Sequence, residues 1–337
     1  MQRAQQIHTW LSQIFGDKNF EINYLAGDAS FRRYARIQQQ NKKYMLMDAP
    51  PEKENCQPFV QIAAFLQQHG TRVPHIVAQD LTQGFLLLED FGDVVLSNVL
   101  NAQSVDQFYT QAFKQIIQLQ VIAPDAEIFP DYSPEKLTQE MRLFDQWLLP
   151  ALNISLSTQQ QDLLTQSYDW ILQNLAQQPQ VIVHRDYHSR NLMLLEHEQN
   201  LGVIDFQDAV IGPDSYDFIS IVRDAYIQWP KHAVQQWIEQ FYAMLPASAK
   251  HHRDLAQFQL DVDVMSIQRH LKILGIFVRL YVRDGKSGYL KDLPRVMWYL
   301  RDELQHCESL QPLYQFIEQH VVHAFTTKYG SYKEVVA

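Results

Sequence analysis

The segment from Val181 to Asp208 constrains this chain more than any other. Val181, Ile182 and Val183 form an apolar run, His184 to Asn191 is crowded with titratable groups, and Leu192 to Leu195 is apolar again. After a polar turn at Glu196–Asn200, Leu201-Gly202-Val203-Ile204 leads into Asp205-Phe206-Gln207-Asp208. Short apolar runs bounded by polar turns read as buried strands. Asp186, Asn191 and Asp205 are therefore delivered to neighbouring strand ends. Hard cations such as magnesium take oxygen ligands, usually one or two carboxylates with phosphate and water. Asn191 and Asp205 meet that need. Asp186, five residues before Asn191, stands where a carboxylate can accept the proton of an attacking hydroxyl.

The pattern around this island changes character along the chain. Phe20 to Leu25, Tyr34 to Ile37 and Lys43 to Met47 are strand candidates. A helix after Asn55 places Phe59, Ile62, Ala63 and Leu66 on one face and closes at Gly70. Two further strands are expected around His75–Gln79 and Phe85–Glu89. Beyond Gly92 the spacing is helical: Ser104 to Val121, a helix opened by Ser133-Pro134, and Thr158 to Leu175. A chain of 337 residues is too long for one ordinary compact domain. The expectation is an α+β fold of two lobes: a small strand-rich lobe, residues 1–91, and a larger, mostly helical lobe, residues 92–337.

Composition excludes several classes of function. The formal net charge is −10, which argues against binding a nucleic-acid backbone, since that affinity comes from clustered Lys and Arg. An anionic substrate must instead meet a local positive site or a metal. No run of about 18 apolar residues is free of charge, so no membrane span is expected. Met1 to Trp10 lacks the basic start and apolar run of a secretory signal. The two cysteines, Cys56 and Cys307, have no metal-binding spacing and read as thiols of a reducing compartment. The cytoplasm is the expected location.

The run His184-Arg185-Asp186, four residues, Asn191 resembles the catalytic loop of protein-kinase-like folds, and Asp205-Phe206-Gln207 stands where those enzymes carry Asp-Phe-Gly. With His188, Asp208, Gly212-Pro213 and Tyr216-Asp217 the pattern is similar to the aminoglycoside phosphotransferase and choline kinase superfamily. Leu25 to Tyr34, Met47 to Glu54, Gln268 to Phe277 and Tyr281 to Gly285 resemble one of its families, the anomeric N-acetylmuramate/N-acetylglucosamine kinases. That likeness runs from about residue 20 to about residue 300.

The resemblance implies a two-lobed protein-kinase-like fold whose first lobe binds nucleotide. It implies ATP and Mg2+ as cofactors, with Asp186 as catalytic base and Asn191 and Asp205 as metal ligands. The γ-phosphate would pass to the C1 hydroxyl of a sugar, giving the α-1-phosphate in peptidoglycan recycling. Gly27, Ser30, Arg32 and Arg33 would lie in a phosphate-covering loop, and Glu89 to Phe91 at the hinge that reads adenine. His188, Arg190, Asp208, Arg269, His270 and Arg279 are candidates for sugar contacts. Asp217 would brace the catalytic loop. Leu271, Leu274 and Val278 pack in the core by their spacing.

One departure stands out. Kinase folds carry a Lys on the third strand for the nucleotide phosphates, whereas this strand reads Tyr44-Met45-Leu46-Met47-Asp48. An Arg of the Gly27–Tyr34 loop, Lys53, or magnesium with backbone amides must serve instead. Other acceptors of the superfamily, such as an aminoglycoside, a choline-like amine or homoserine, remain open at this level. So does a nucleotide-binding scaffold without transfer activity.

Overall fold

The computed structural model describes residues 2–25, 31–196 and 200–332. It divides into two compact units, Met1–Val99 with Arg190–Asp208, and Leu100–Ser189 with Ala209–Ala337.

The first unit opens with helix α1 (Gln2–Phe15), which lies outside the strands expected at this end. Its signal is the spacing of Ile7, Trp10, Leu11 and Ile14, an apolar stripe on an otherwise polar helix. Strands β1 (Glu21–Tyr24), β2 (Arg33–Gln39) and β3 (Lys42–Asp48) follow, then helix α2 (Gln57–Gln68) and strands β4 (Ile76–Asp80) and β5 (Phe85–Glu89). They form one antiparallel sheet in the order β1-β2-β3-β5-β4.

Successive strand residues point to opposite faces. Ala35, Ile37, Leu46, Phe85 and Leu87 therefore share the face that α1 covers with Ile7, Trp10 and Leu11. Tyr34 and Met47, which are cross-strand partners, point to the other face. α2 buries Phe59, Ile62, Ala63 and Leu66, the face expected from its periodicity.

Arg190–Asp208 belongs with this unit because its backbone bonds there. Leu192–Met193 pairs with Gly202–Val203, the Val203 N–H donates to the Arg72 carbonyl at 2.7 Å, and the Leu194 N–H to the Val94 carbonyl at 2.8 Å. Phe206 is fully buried, its ring 4.7 Å from that of Phe59 on α2.

The second unit is mostly helical. Helix α3 (Val105–Gln120) precedes α4 (Pro134–Met141), which starts as expected: the Ser133 hydroxyl accepts the Lys136 N–H at 3.3 Å and Pro134 opens the first turn. Helix α5 (Thr158–Leu175) begins with a capping box between Ser157 and Gln160. Strand β6 (Gln180–Val183) then pairs antiparallel with β7 (Val210–Pro213), which leads into helix α6 (Ser215–Val222). Helices α7 (Lys231–Met244), α8 (Leu255–Asp284) and α9 (Leu293–His306) follow.

The core includes Phe113, Phe218, Phe241 and Phe258, with the Phe218 and Phe241 rings 4.4 Å apart. α8 is 30 residues long, capped by Asp254 and ended by Gly285 at φ +71°. Leu271, Leu274 and Val278 on it are fully buried, as their spacing predicts. At Gly275 the helix crosses so near the chain that an added Cβ would lie 2.1 Å from the Leu143 carbonyl carbon. No helix among the described residues is long and apolar enough to cross a membrane.

Candidate active site

In the second unit, β6 runs directly into the loop that carries Asp186. Two backbone donors at the start of this loop are taken by one buried side chain. The Asp217 carboxylate, on the first turns of α6, accepts the His184 N–H at 2.7 Å and the Arg185 N–H at 3.0 Å. Burial pushes the Asp217 carboxyl up to about 7, against the pull of those two N–H groups, with the nearby Asp186 charge adding to the rise. Arg185 has φ +74°, a left-handed backbone rare for a branched-chain-sized or larger residue. The loop is clamped further on: the Ser189 N–H and hydroxyl both donate to Asp224, at 3.0 and 2.5 Å, and the Tyr187 hydroxyl donates to the Ala112 carbonyl at 3.2 Å.

Five residues, Arg185, Glu140, Lys272, Tyr216 and Tyr132, form a polar network with the loop. The Arg185 guanidinium donates to Glu140 at 2.7 Å, and Lys272 Nζ lies 3.2 Å from the same Glu140 oxygen and 3.1 Å from the Tyr216 hydroxyl. Tyr132 also donates to Glu140. Burial alone would raise the Asp186 carboxyl, but the charges of Lys272, His188, Arg185 and His184 outweigh it and hold the group below its ordinary value. Asp186 is thus ionised at neutral pH and able to take a proton.

Asn191 and Asp205 come together in the first unit. The Ile204 N–H donates to the Asn191 carbonyl at 3.1 Å, and the Asn191 amide lies 3.3 Å from an Asp205 oxygen. Gln207 holds the other Asp205 oxygen at 2.8 Å. Asp205 has φ +66°, a left-handed turn that brings the carboxylate out while Phe206 is buried beside it. A carboxylate next to an amide is a hard oxygen-donor set, and no group of three or more His, Cys, Asp and Glu suited to a metal occurs among the described residues. Such a pair fits magnesium, which keeps waters and takes phosphate oxygens rather than an all-protein cage.

The remaining expected residues fall in varied places. Gly27 and Ser30 lie outside the described residues. Arg33 reaches the buried Asp48, which also takes Arg3 from α1 at 2.7 Å. Arg32 lies 3.3 Å from Glu54. Glu89 receives both ends of the Arg72 guanidinium, at 2.8 and 2.6 Å, and Phe91 packs under that guanidinium and against Gly202. His188 stands edge-on to Tyr226, with ring centres 5.2 Å apart. Arg190 and Asp208 are exposed. Arg269 is buried, and its Nε and Nη1 have no hydrogen-bond partner among the described residues. Arg279 is half-buried. His270 is buried in a separate network, 2.9 Å from Glu303 and stacked on Tyr299.

Glu140 and Lys272 escape sequence reasoning as members of the site, whereas Tyr216 enters it only as part of the Tyr216-Asp217 motif. Of these two, Lys272 leaves a trace, a single charge inside the apolar stretch Leu271 to Phe277.

Residues 21–253 match the model of the phosphotransferase enzyme family. The chain belongs to that family. This phosphotransferase is 36% identical over 329 residues to the N-acetylmuramate/N-acetylglucosamine kinase of Pseudomonas putida, covering 94% of this chain and 96% of the relative. It is 33% identical to the protein of the same name from Neisseria meningitidis serogroup B, with 94% and 96% covered. Among solved structures it is similar to the choline kinase LicA of Streptococcus pneumoniae, with a TM-score of 0.62 at 12% identity, covering 90% of this chain and all of that one. An ADP-bound aminoglycoside phosphotransferase gives a TM-score of 0.59 at 16% identity, with 88% and 98% covered. The phosphotransferase therefore has the two-lobed protein-kinase-like fold expected from its catalytic-loop pattern.

Proposed function

We propose that this phosphotransferase is an ATP-dependent sugar kinase that phosphorylates the anomeric C1 hydroxyl of N-acetylmuramate and N-acetylglucosamine. The product is the α-1-phosphate, and the setting is peptidoglycan recycling in the cytoplasm. The observation that carries this reading is near-complete alignment, 94% of the chain at 36% identity, with a relative of that name.

The chemistry of the site supports it. Asp186 takes the proton of the C1 hydroxyl as its oxygen bonds to the γ-phosphorus and the bond from that phosphorus to the ADP oxygen breaks. An anomeric hydroxyl is more acidic than an ordinary alcohol, so an ionised carboxylate is a sufficient base. A loose phosphoryl-transfer transition state asks mainly for alignment and charge neutralisation. The fixed loop, with two backbone donors on Asp217, supplies the alignment of Asp186. Asn191 and Asp205 are the residues that would hold Mg2+, which when bound neutralises phosphate charge. Backbone groups from Glu89 to Phe91 would read the adenine edge. His188, Arg190, Asp208, Arg269 and His270 remain the sugar-contact candidates, His270 and Arg269 from buried positions on α8.

Phosphorus NMR of the product made from N-acetylmuramate and ATP tests donor, acceptor and position together. An α-anomeric phosphate signal is expected. Turnover with kanamycin or choline but none with N-acetylmuramate would overturn the reading, as would nucleotide binding with no transfer to any acceptor.

A further inference from the structure

The third strand lacks the phosphate-binding Lys of kinase folds, and the first unit shows what stands in its place. Met47 is the cross-strand partner of Tyr34, whose hydroxyl lies 3.4 Å from the Met47 sulfur. Both residues sit on the face of the sheet opposite α1. The inward end of β3 is thus apolar and closed by a phenol. A cation for the nucleotide must come from another segment on that same face.

Three basic side chains stand near enough in the chain, and their partners separate them. Arg33 pairs with Asp48 on the α1 face, and its guanidinium also lies 5.6 Å from the Tyr24 ring. Lys53 lies over the Phe31 ring at 5.0 Å, an aromatic contact rather than a carboxylate one. Arg32 stands just before β2, and its partner differs from that of Arg33. It meets Glu54 at 3.3 Å, with only 13% of the Arg32 side chain and 19% of the Glu54 side chain exposed. The Tyr34 hydroxyl reports who else is close. Burial raises it to about 12, the Arg32 charge pulls it down, and Asp205 and Glu54 push it up. Arg32 and Glu54, paired at 3.3 Å, and the metal-ligand candidate Asp205 thus all act electrostatically on one phenol.

A cation braced by a carboxylate beside the metal ligand is the arrangement kinases build from a third-strand Lys and a helix Glu. We propose that Arg32, oriented by Glu54, is the residue that grips the phosphates of the donor nucleotide in this chain, in place of the third-strand Lys. This rests on the kinase reading above. The guanidinium suits the role because its planar fork matches two phosphate oxygens at once. Glu54 limits the rotamers of Arg32 and keeps the fork aimed. Tyr34 and Met47 fill the volume a Lys stem would otherwise occupy.

The test measures ADP binding by calorimetry, with magnesium present, alongside KM for ATP and for N-acetylmuramate. Arg32→Ala is expected to weaken ADP by about 10- to 100-fold, the size of a lost charge-assisted contact. KM for ATP should rise in parallel while KM for the sugar stays within about twofold. Arg32→Lys, which keeps charge and bulk, should fall between, and Glu54→Gln should weaken ADP in the same direction. Introducing Met47→Lys into the Arg32→Ala protein should recover part of the loss, which a purely structural role for Arg32 would not allow. ADP affinity unchanged in folded Arg32→Ala overturns the proposal. So does a loss carried by Arg33→Ala instead, or, should Arg32→Ala fail to fold, full ADP affinity in Glu54→Gln with a sugar KM that moves. Wild-type protein that binds ADP but phosphorylates no sugar would sink the sugar-kinase reading and leave the Arg32 assignment standing.

Discussion

Lys272 and Glu140 form an ion pair of 3.2 Å within the second unit, and the Arg185 guanidinium closes on the same Glu140 oxygen. Arg185 is the neighbour of Asp186, so this pair links α4 and α8 to the catalytic loop. Positive charge collected here is what keeps a buried carboxylate ionised.

Removing that charge should move the acid limb of the rate profile. Asp186 must be ionised to act as base, so activity is lost as pH falls through its pKa. The nearby cations, Lys272 first, hold that pKa below the ordinary carboxylate value. Lys272→Met is expected to shift the acid limb of kcat/KM to higher pH, with nucleotide KM little changed. A limb that stays in place would show that Lys272 does not act on Asp186.

Asp186→Asn removes the proton acceptor and keeps the shape. Turnover should fall by about 10²- to 10⁴-fold, the usual share of general-base catalysis, while ADP binding and thermal midpoint remain near wild type. Near-normal turnover in this variant would be incompatible with Asp186 as the base.

Asp217 makes a prediction about stability. Its native carboxyl is raised to about 7, whereas an unfolded Asp titrates near 4. Between those values the native state binds a proton that the unfolded chain has released. Its contribution is therefore fully present below the unfolded pKa and is lost as pH rises towards about 7. Urea midpoints taken at pH 5.5 and pH 8 should show the wild type losing more stability than Asp217→Asn over this interval. Equal losses would refute the assignment.

Gly275→Ala tests the crossing of α8 over Leu143. Alanine favours a helix over glycine by about 1 kcal/mol, but its Cβ would lie 2.1 Å from backbone that cannot rotate away. Overpacking of this kind costs about 1–3 kcal/mol or more. Net destabilisation is expected by denaturant melts. A more stable variant would mean that the helix slides freely at this point.

Much of the site was legible because its signals are local. The spacing from Asp186 to Asn191 and the run ending in Asp205 need only a dozen residues to be read, and apolar strands on either side place them. The same holds for the face of α2, the Ser133 cap and the buried positions of α8, where periodicity of 2 or 3.6 is written along one element. The helix α1 shows the limit: its stripe of Ile7, Trp10, Leu11 and Ile14 is periodic, yet a polar surround hides it until a sheet covers the stripe.

By itself, the sequence determined the class of protein, a phosphotransferase with a strand-rich lobe followed by a helical one, and the residues proposed for its chemistry. Tertiary structure alone decided which charges serve those groups. Arg32 and Arg33 are adjacent and chemically identical, and only the placement of Glu54 and Asp48 gives them different partners. Lys272 reaches the catalytic loop network because α8 packs against α4 and α6, a contact between residues far apart in the chain. Periodicity records what one element buries. It does not record which distant ion that element will meet, because such a pairing is set by packing after the elements have formed.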